Sequence, residues 1–148
     1  MPRLSIVIPN LDSPWIGGTL AGLKADGIPD AAREVLVVGS DSHGLVPRDG
    51  SVRFLACDDR PNPAGARNRG VAAAGGDLIL FVDADCTPLA GWAEALAAAL
   101  AGLGIGPDRD IVSVDWVNGD GTVPLRSAIG STPDVRRHFT CGVSHVPL

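Results

Sequence analysis

Apolar positions along the chain fall into two rhythms. Residues 4–9 (LSIVIP), 34–39 (EVLVVG), 52–56 (VRFLA) and 78–82 (LILFV) are short, nearly continuous apolar runs rich in β-branched residues. Such runs mark strands covered on both faces. Between the first two, Ile16, Leu20 and Leu23 recur at helical spacing, and Ser13-Pro14 supplies a capping residue followed by a proline suited to the first helical position. Asn62-Pro63 repeats that start signal before AGARNRGVAAAGG, a small-residue helix closed by glycines. Thr87-Pro88 repeats it again before Leu89, Trp92, Leu96 and Leu100. IVSVDW (111–116) reads as a fifth strand. Beyond Asn118 the pattern fades and predicts no element.

Strand, helix, strand, strand, helix, strand, helix, strand is an α/β order, a mostly parallel sheet flanked by helices on both faces. A length of 148 residues suits a single domain spanning 1–148. Ligands of such sheets bind outside the carboxyl ends of the strands. That rule selects Pro9-Asn10-Leu11, Gly39-Ser40-Asp41, the helix mouth at 62–69, and Asp83-Ala84-Asp85.

Composition narrows the function classes. Apolar residues make up 45% and aromatics 4%, so the core is aliphatic and Ala-rich. A formal net charge of −5 argues against nucleic acid as a partner. One lysine against eleven arginines, with abundant Ala and Gly, matches a GC-rich bacterial genome. Cys57, Cys86 and Cys141 lack the paired spacing of a zinc knuckle or a disulfide framework. Together with an N-terminus that carries no apolar leader, they predict a cytoplasmic protein. No segment is long and apolar enough to predict a membrane span. His43, His138 and His145 are too scattered to suggest a metal site.

The chemistry gathers at LILFVDADCTP. An apolar strand ends in Asp83 and Asp85, two carboxylates that repel one another at a cleft. A bound cation relieves that repulsion. Mg²⁺ uses one or two carboxylates plus substrate phosphates, so a metal here could bridge to a diphosphate. Two solvated aspartates in a turn are the plainer alternative. In NPAGARNRG a helix N-terminus favours anions, with Arg67 and Arg69 in its first turns and small residues that allow close approach. A surface helix with solvated arginines is the alternative there.

Taken together, LSIVIPNLDSP, EVLVVGSD and GARNRGVAAAGGDLILFVDADC resemble the nucleotide-sugar half of family 2 glycosyltransferases of the GT-A, Rossmann-like fold. It is similar to the bacterial subgroup with VVG.D..GLV, here Val37 to Val46, and the resemblance covers about residues 3 to 115. It implies that Pro9 and Asn10 line the nucleotide, that Asp41 faces the base, and that Arg67 lies near base and diphosphate. It further implies that Asp83 reaches ribose or metal, and that Asp85 binds Mn²⁺ or Mg²⁺. The donor would be a UDP- or GDP-type nucleoside-diphosphate sugar, and the parent reaction its transfer to an acceptor hydroxyl. VVGSDS replaces the family's usual VVDDGS, so which acid reads the base stays open. The family's general base lies in sequence that would follow this chain, which leads us to expect a truncated, poorly active transferase. Asp115, Asp120 and Asp134 are the remaining base candidates.

Two other readings compete. D-x-D-x-T at a strand end also occurs in haloacid-dehalogenase-type phosphatases, as nucleophile and general acid. That chemistry wants a downstream Lys or Arg and a late acidic pair, yet the only lysine, Lys24, precedes the motif. The chain could also bind nucleotide without catalysis, or form a homo-oligomer through an exposed sheet edge.

Overall fold

The computed structural model describes residues 3–25, 33–76, 78–88, 90–94, 96–97 and 140–141. Strand β1 spans Leu4–Leu11, β2 Arg33–Ser40, β3 Arg53–Ala56, β4 Leu78–Val82 and β5 Thr140–Cys141, with helix α1 over Ile16–Ala25 and α2 over Pro63–Ala73. All four strand pairings are parallel, in the order β3-β2-β1-β4-β5. The strand order reverses beside β1, which makes the gap between the β1 and β4 ends the switch point where ligands of open α/β sheets settle.

Alternation along the strands divides the core between two faces. Ile6, Ile8, Val37, Leu80 and Val82 pack with Ile16 and Leu23 of α1 and with Trp92 and Leu96. Val7, Leu36 and Val38 turn the other way, onto Ala66 of α2. Helices therefore cover both faces, which is why the strand segments read as unbroken apolar runs. Gly70 sets how closely α2 approaches, because a Cβ there would run into Val7.

Several boundaries differ from the sequence expectation, each for a local reason. Helix α1 begins at Ile16, two residues after the expected proline start, because Gly18 and Thr19 donate their N–H groups to the Trp15 carbonyl. Ser13 still accepts from Trp15 N at 3.2 Å, but its hydroxyl also reaches across to Ala84. Helix α2 does start at the Asn62 cap, whose side chain accepts from Gly65 N, with Pro63 as the first helical residue. It ends on extended Ala74, not on a left-handed glycine. The third helical stretch, residues 92–94 and 96–97, follows Gly91 (φ 85) and not Thr87-Pro88. There Pro88 is buried against α1 at Gly22. Leu89, Leu100 and the strand expected over 111–116 lie outside the described residues. The neighbour of β4 is the two-residue β5, drawn from a segment where no pattern was readable.

Candidate functional site

The carboxyl edge is organised from the end of β1 outward. Asn10 is 3% exposed; its amide donates to the Ser40 carbonyl at 2.8 Å and its oxygen accepts from Ser13 N at 3.1 Å. Asp12 N also donates to the Ser40 carbonyl, at 3.1 Å. These bonds join the ends of β1 and β2 and fix the turn that follows. Gly39, paired with Asn10 in the ladder, has φ +136, and a Cβ there would collide with the Asn10 carbonyl. Glycine is therefore demanded where the family's usual pattern carries an aspartate. Asn10 was expected to line the nucleotide, and here both ends of its amide are spent on holding the edge. Pro9 beside it is partly buried.

From the turn, hydrogen bonds cross the switch point. The carbonyl of Ala84, between the two aspartates, accepts from Ser13 Oγ at 3.2 Å and from Thr19 Oγ1 at 3.1 Å. Cys86 N donates to the Asp83 carbonyl at 3.0 Å and closes the turn. Ala84 is buried while Asp83 and Asp85 are exposed on either side of it. The strand-end placement expected for the two carboxylates is thus observed, and two hydroxyls from α1 and its lead-in hold it. Thr19 was not singled out from the sequence. Its signal is a polar residue on the apolar stripe, between Ile16 and Leu20, where a buried hydroxyl must find a partner.

Arg67 meets this turn. Its guanidinium lies 2.5 Å from Asp83 Oδ1 and 6.0 Å above the centre of the Phe81 ring. The expected diphosphate-side arginine and the first aspartate of the D-x-D therefore sit together, joining the mouth of α2 to the end of β4. Arg69, the other arginine of that helix turn, points elsewhere and grips Asp59 with both guanidinium nitrogens, at 2.7 and 2.5 Å. That guanidinium holds the Asp59 carboxyl below its ordinary value.

Asp41, which the resemblance implies faces the base, is drawn into its own loop. Its side chain is 2% exposed, and Oδ1 accepts from Leu45 N at 2.9 Å while Oδ2 accepts from Val46 N at 3.1 Å and Arg48 at 3.2 Å. The carboxylate is turned into the loop 41–48 and organises it, with Arg48 stacked 4.0 Å over Phe54. Asp12, in the turn after β1, bonds across the strand ends. Asp12 accepts from Ser42 N at 2.7 Å and pairs with Arg60 at 3.2 Å. The Ser42 N–H, with help from other donors and Arg60, holds the Asp12 carboxyl below its ordinary value. Neither Asp12 nor Arg60 was picked out from the sequence.

Four arginine–aspartate pairs, 48–41, 60–12, 67–83 and 69–59, therefore ring the carboxyl edge. Among the described residues each of these guanidinium groups already has a carboxylate and exposed Asp85 adds negative charge, so their side chains offer an incoming diphosphate no surplus of positive charge. Among the described residues no three acidic, His or Cys side chains converge on one point. Asp85 with Asp83 still suits a hard divalent ion, because such an ion needs only one or two carboxylates when substrate phosphates complete its shell. Asp83 already has Arg67 on one oxygen, which leaves Asp85 the more available ligand. Asp115, Asp120 and Asp134 lie outside the described residues, as do His138 and His145. His43 is an exposed loop residue.

Comparison with known proteins agrees with this architecture. The chain is 27% identical over 128 residues to Glycosyltransferase AglE of Haloferax volcanii, a match covering 80% of this chain and 42% of that protein. Its fold is similar to the crystal structure of S. aureus TarS 1–349, at 22% identity and a TM-score of 0.61, covering 81% of this chain and 38% of that one. It is likewise similar to TarS 1–349 in complex with UDP-GlcNAc, at 20% identity and a TM-score of 0.61, covering 90% and 40%. The chain thus spans less than half the length of these relatives. The model of the family described as Glycosyl transferase family 2 matches residues 5–123, from the first strand past the D-x-D turn, which sets aside the phosphatase reading of that motif. With four fifths of its length under that match and a GT-A sheet beneath it, the chain belongs to glycosyltransferase family 2.

Proposed function

We propose that this chain binds a nucleoside-diphosphate sugar of UDP or GDP type, together with Mn²⁺ or Mg²⁺, as the donor-binding part of a glycosyltransferase. The carrying observation is the Arg67–Asp83 pair, which brings the mouth of α2 against the D-x-D turn at the switch point. A solved neighbour of the same fold in complex with UDP-GlcNAc supports the choice of ligand class. In this reading the nucleotide lies along the carboxyl edge, past Pro9 and the Asn10 turn. Arg67 orients Asp83 toward the ribose or the metal, and Asp85 holds the metal. When bound, the divalent ion would neutralise charge developing on the leaving diphosphate. The charge-balanced edge is the physical reason to expect metal dependence, since a diphosphate arriving alone would meet Asp83 and Asp85 without compensation.

Calorimetric titration of UDP and of GDP, with and without Mn²⁺, tests this. The expected result is binding that needs the metal, with Asp85→Ala abolishing that need and leaving the melting temperature unchanged, because an exposed turn residue adds little to the core. Equal weak binding with and without Mn²⁺ would overturn the assignment.

A further inference from the structure

Two arginines leave the same stretch of α2, and their carboxylate partners are held in different ways. Arg69 takes Asp59 with two guanidinium nitrogens, one on each oxygen, at 2.7 and 2.5 Å. Arg67 meets Asp83 through one nitrogen and one oxygen, at 2.5 Å. A two-point fork is a fixed clamp, whereas a one-point pair leaves donors and acceptors over on both sides. The second pair is also open to solvent, with the Asp83 side chain 58% exposed. Exposed ion pairs of this kind cost little to break. The Phe81 ring lies 6.0 Å from the Arg67 guanidinium carbon. Its face gives the cation a resting surface beside the site when the pair opens.

The backbone that carries the two aspartates is pinned. The Ala84 carbonyl between them accepts from Ser13 and Thr19, and Cys86 N closes the turn on the Asp83 carbonyl. Repulsion between Asp83 and Asp85 is therefore relieved by a cation and not by backbone movement. Among the described residues, the cation paired with this turn is Arg67. A divalent ion drawn to the same carboxylates meets that guanidinium as a like charge. A diphosphate brings the opposite charge. Arg67 can pass to it through the same donors, since a guanidinium pairs with phosphate as it does with carboxylate.

We propose that Arg67 is an exchangeable counter-ion: paired with Asp83, it holds the D-x-D turn against a divalent ion arriving alone, and it yields when the diphosphate of the donor offers it a second anion. Until then it keeps the Asp83 carboxylate turned toward the mouth of α2. The inference rests on the nucleotide-sugar reading given above and adds the side chain that couples metal to nucleotide. Linkage makes that coupling reciprocal, so metal and nucleotide enter better together than either does alone. Direct coordination of phosphate by the metal would also couple the two ligands, but it makes no demand on Arg67. The exchange does, and it gives opposite signs to the two effects of removing the side chain. Without the guanidinium, the metal alone gains a carboxylate oxygen and loses a repelling charge, while the nucleotide loses a partner.

The test is Mn²⁺ affinity without nucleotide, read from the spin-resonance signal of free Mn²⁺, for the wild-type chain, Arg67→Ala and Arg67→Gln. Removing a unit charge from beside a divalent ion in a water-like, screened medium changes binding about three- to tenfold. Both variants should gain that much. Adding Asp85→Ala to Arg67→Ala should remove the gain, which locates the ion at the turn. UDP titrated in saturating Mn²⁺ should show the reverse, a loss of about tenfold, the equivalent of one charge-assisted hydrogen bond. Arg67→Gln keeps most of the side chain without its charge, so the result does not hang on a packing defect in α2. If Arg67 only braces the turn, both affinities fall together, and a Mn²⁺ affinity unchanged or lowered in both variants overturns the proposal. Where the wild-type chain binds UDP with Mn²⁺ in that case, the nucleotide-sugar reading still stands. A wild-type chain that binds no UDP overturns that reading and the exchange with it.

Discussion

Gly39 shows how one residue position constrains the site. Its φ of +136 and its contact with the Asn10 carbonyl exclude any side chain, so the acid that the family resemblance implies at this strand end has no room here. The acids appear instead as Asp41, two residues on and absorbed by its loop, and as Asp12, across the ladder. We predict that Gly39→Ala costs about 1–3 kcal/mol through the strained backbone and the clash. It should also weaken nucleotide binding, because displacing Asn10 loosens the turn that joins the ends of β1 and β2. Chemical denaturation and nucleotide titration of the variant check this; a variant of wild-type stability would show that the backbone can relax there at no cost. The glycine itself stands in the sequence, but its reason does not, since nothing local tells which carbonyl lies against it.

At the scale of elements, α1 does more than cover the sheet. Thr19 and the lead-in residue Ser13 hold the Ala84 carbonyl, so the position of the D-x-D turn depends on a helix that contributes no charged group to it. Thr19→Val keeps the shape and removes one buried hydrogen bond, an expected loss of about 1 kcal/mol in stability. The Ala84 carbonyl would keep only Ser13, and metal-dependent nucleotide affinity should fall several-fold. Affinity unchanged in a destabilised variant would show that the turn is held well enough without α1. Helix α2 acts in the same manner. Gly70 lets it lie close on β1, and that closeness delivers Arg67 to Asp83. The α2 start was legible from Asn62-Pro63, because a cap is a local device. The α1 start was not legible, because Ser13 is drawn toward a partner 71 residues away.

The whole molecule is also clasped at the end opposite the site. Ser5 Oγ donates to Glu34 Oε1 at 2.6 Å and accepts from Gly76 N at 2.8 Å, and Gly75 N donates to Glu34 at 2.5 Å. This cluster joins the amino ends of β1 and β2 to the turn before β4. The Ser5 hydroxyl, with the Gly75 N–H and nearby arginines, holds the Glu34 carboxyl below its ordinary value of 4.5, against the opposing effect of partial burial. A lowered native value means that the stabilisation is present above the unfolded value and is lost as pH falls through the folded one. Glu34→Gln should therefore melt below wild type near neutral pH, and the gap should shrink as pH drops below 4.5. Thermal melts from about pH 7 to about pH 3 measure it, and a gap independent of pH would rule out the charge as its source.

What the sequence determined by itself is whatever rests on short-range physics. Apolar runs fixed four strands to within a residue or two, proline and asparagine fixed the start of α2, and a strand ending in Asp83 and Asp85 fixed where acidic chemistry would gather. The tertiary structure alone decided which side chains meet. The Asp41 carboxylate finds backbone donors within its own loop, while that of Asp12 reaches a donor 30 residues away. Thr19 becomes an anchor through a partner 65 residues distant. Strand β5 joins the sheet with two residues, too few to carry a periodic pattern. Polar groups near a sheet edge take whichever partner the packed backbone brings within hydrogen-bond reach, and that proximity is a property of the assembled fold.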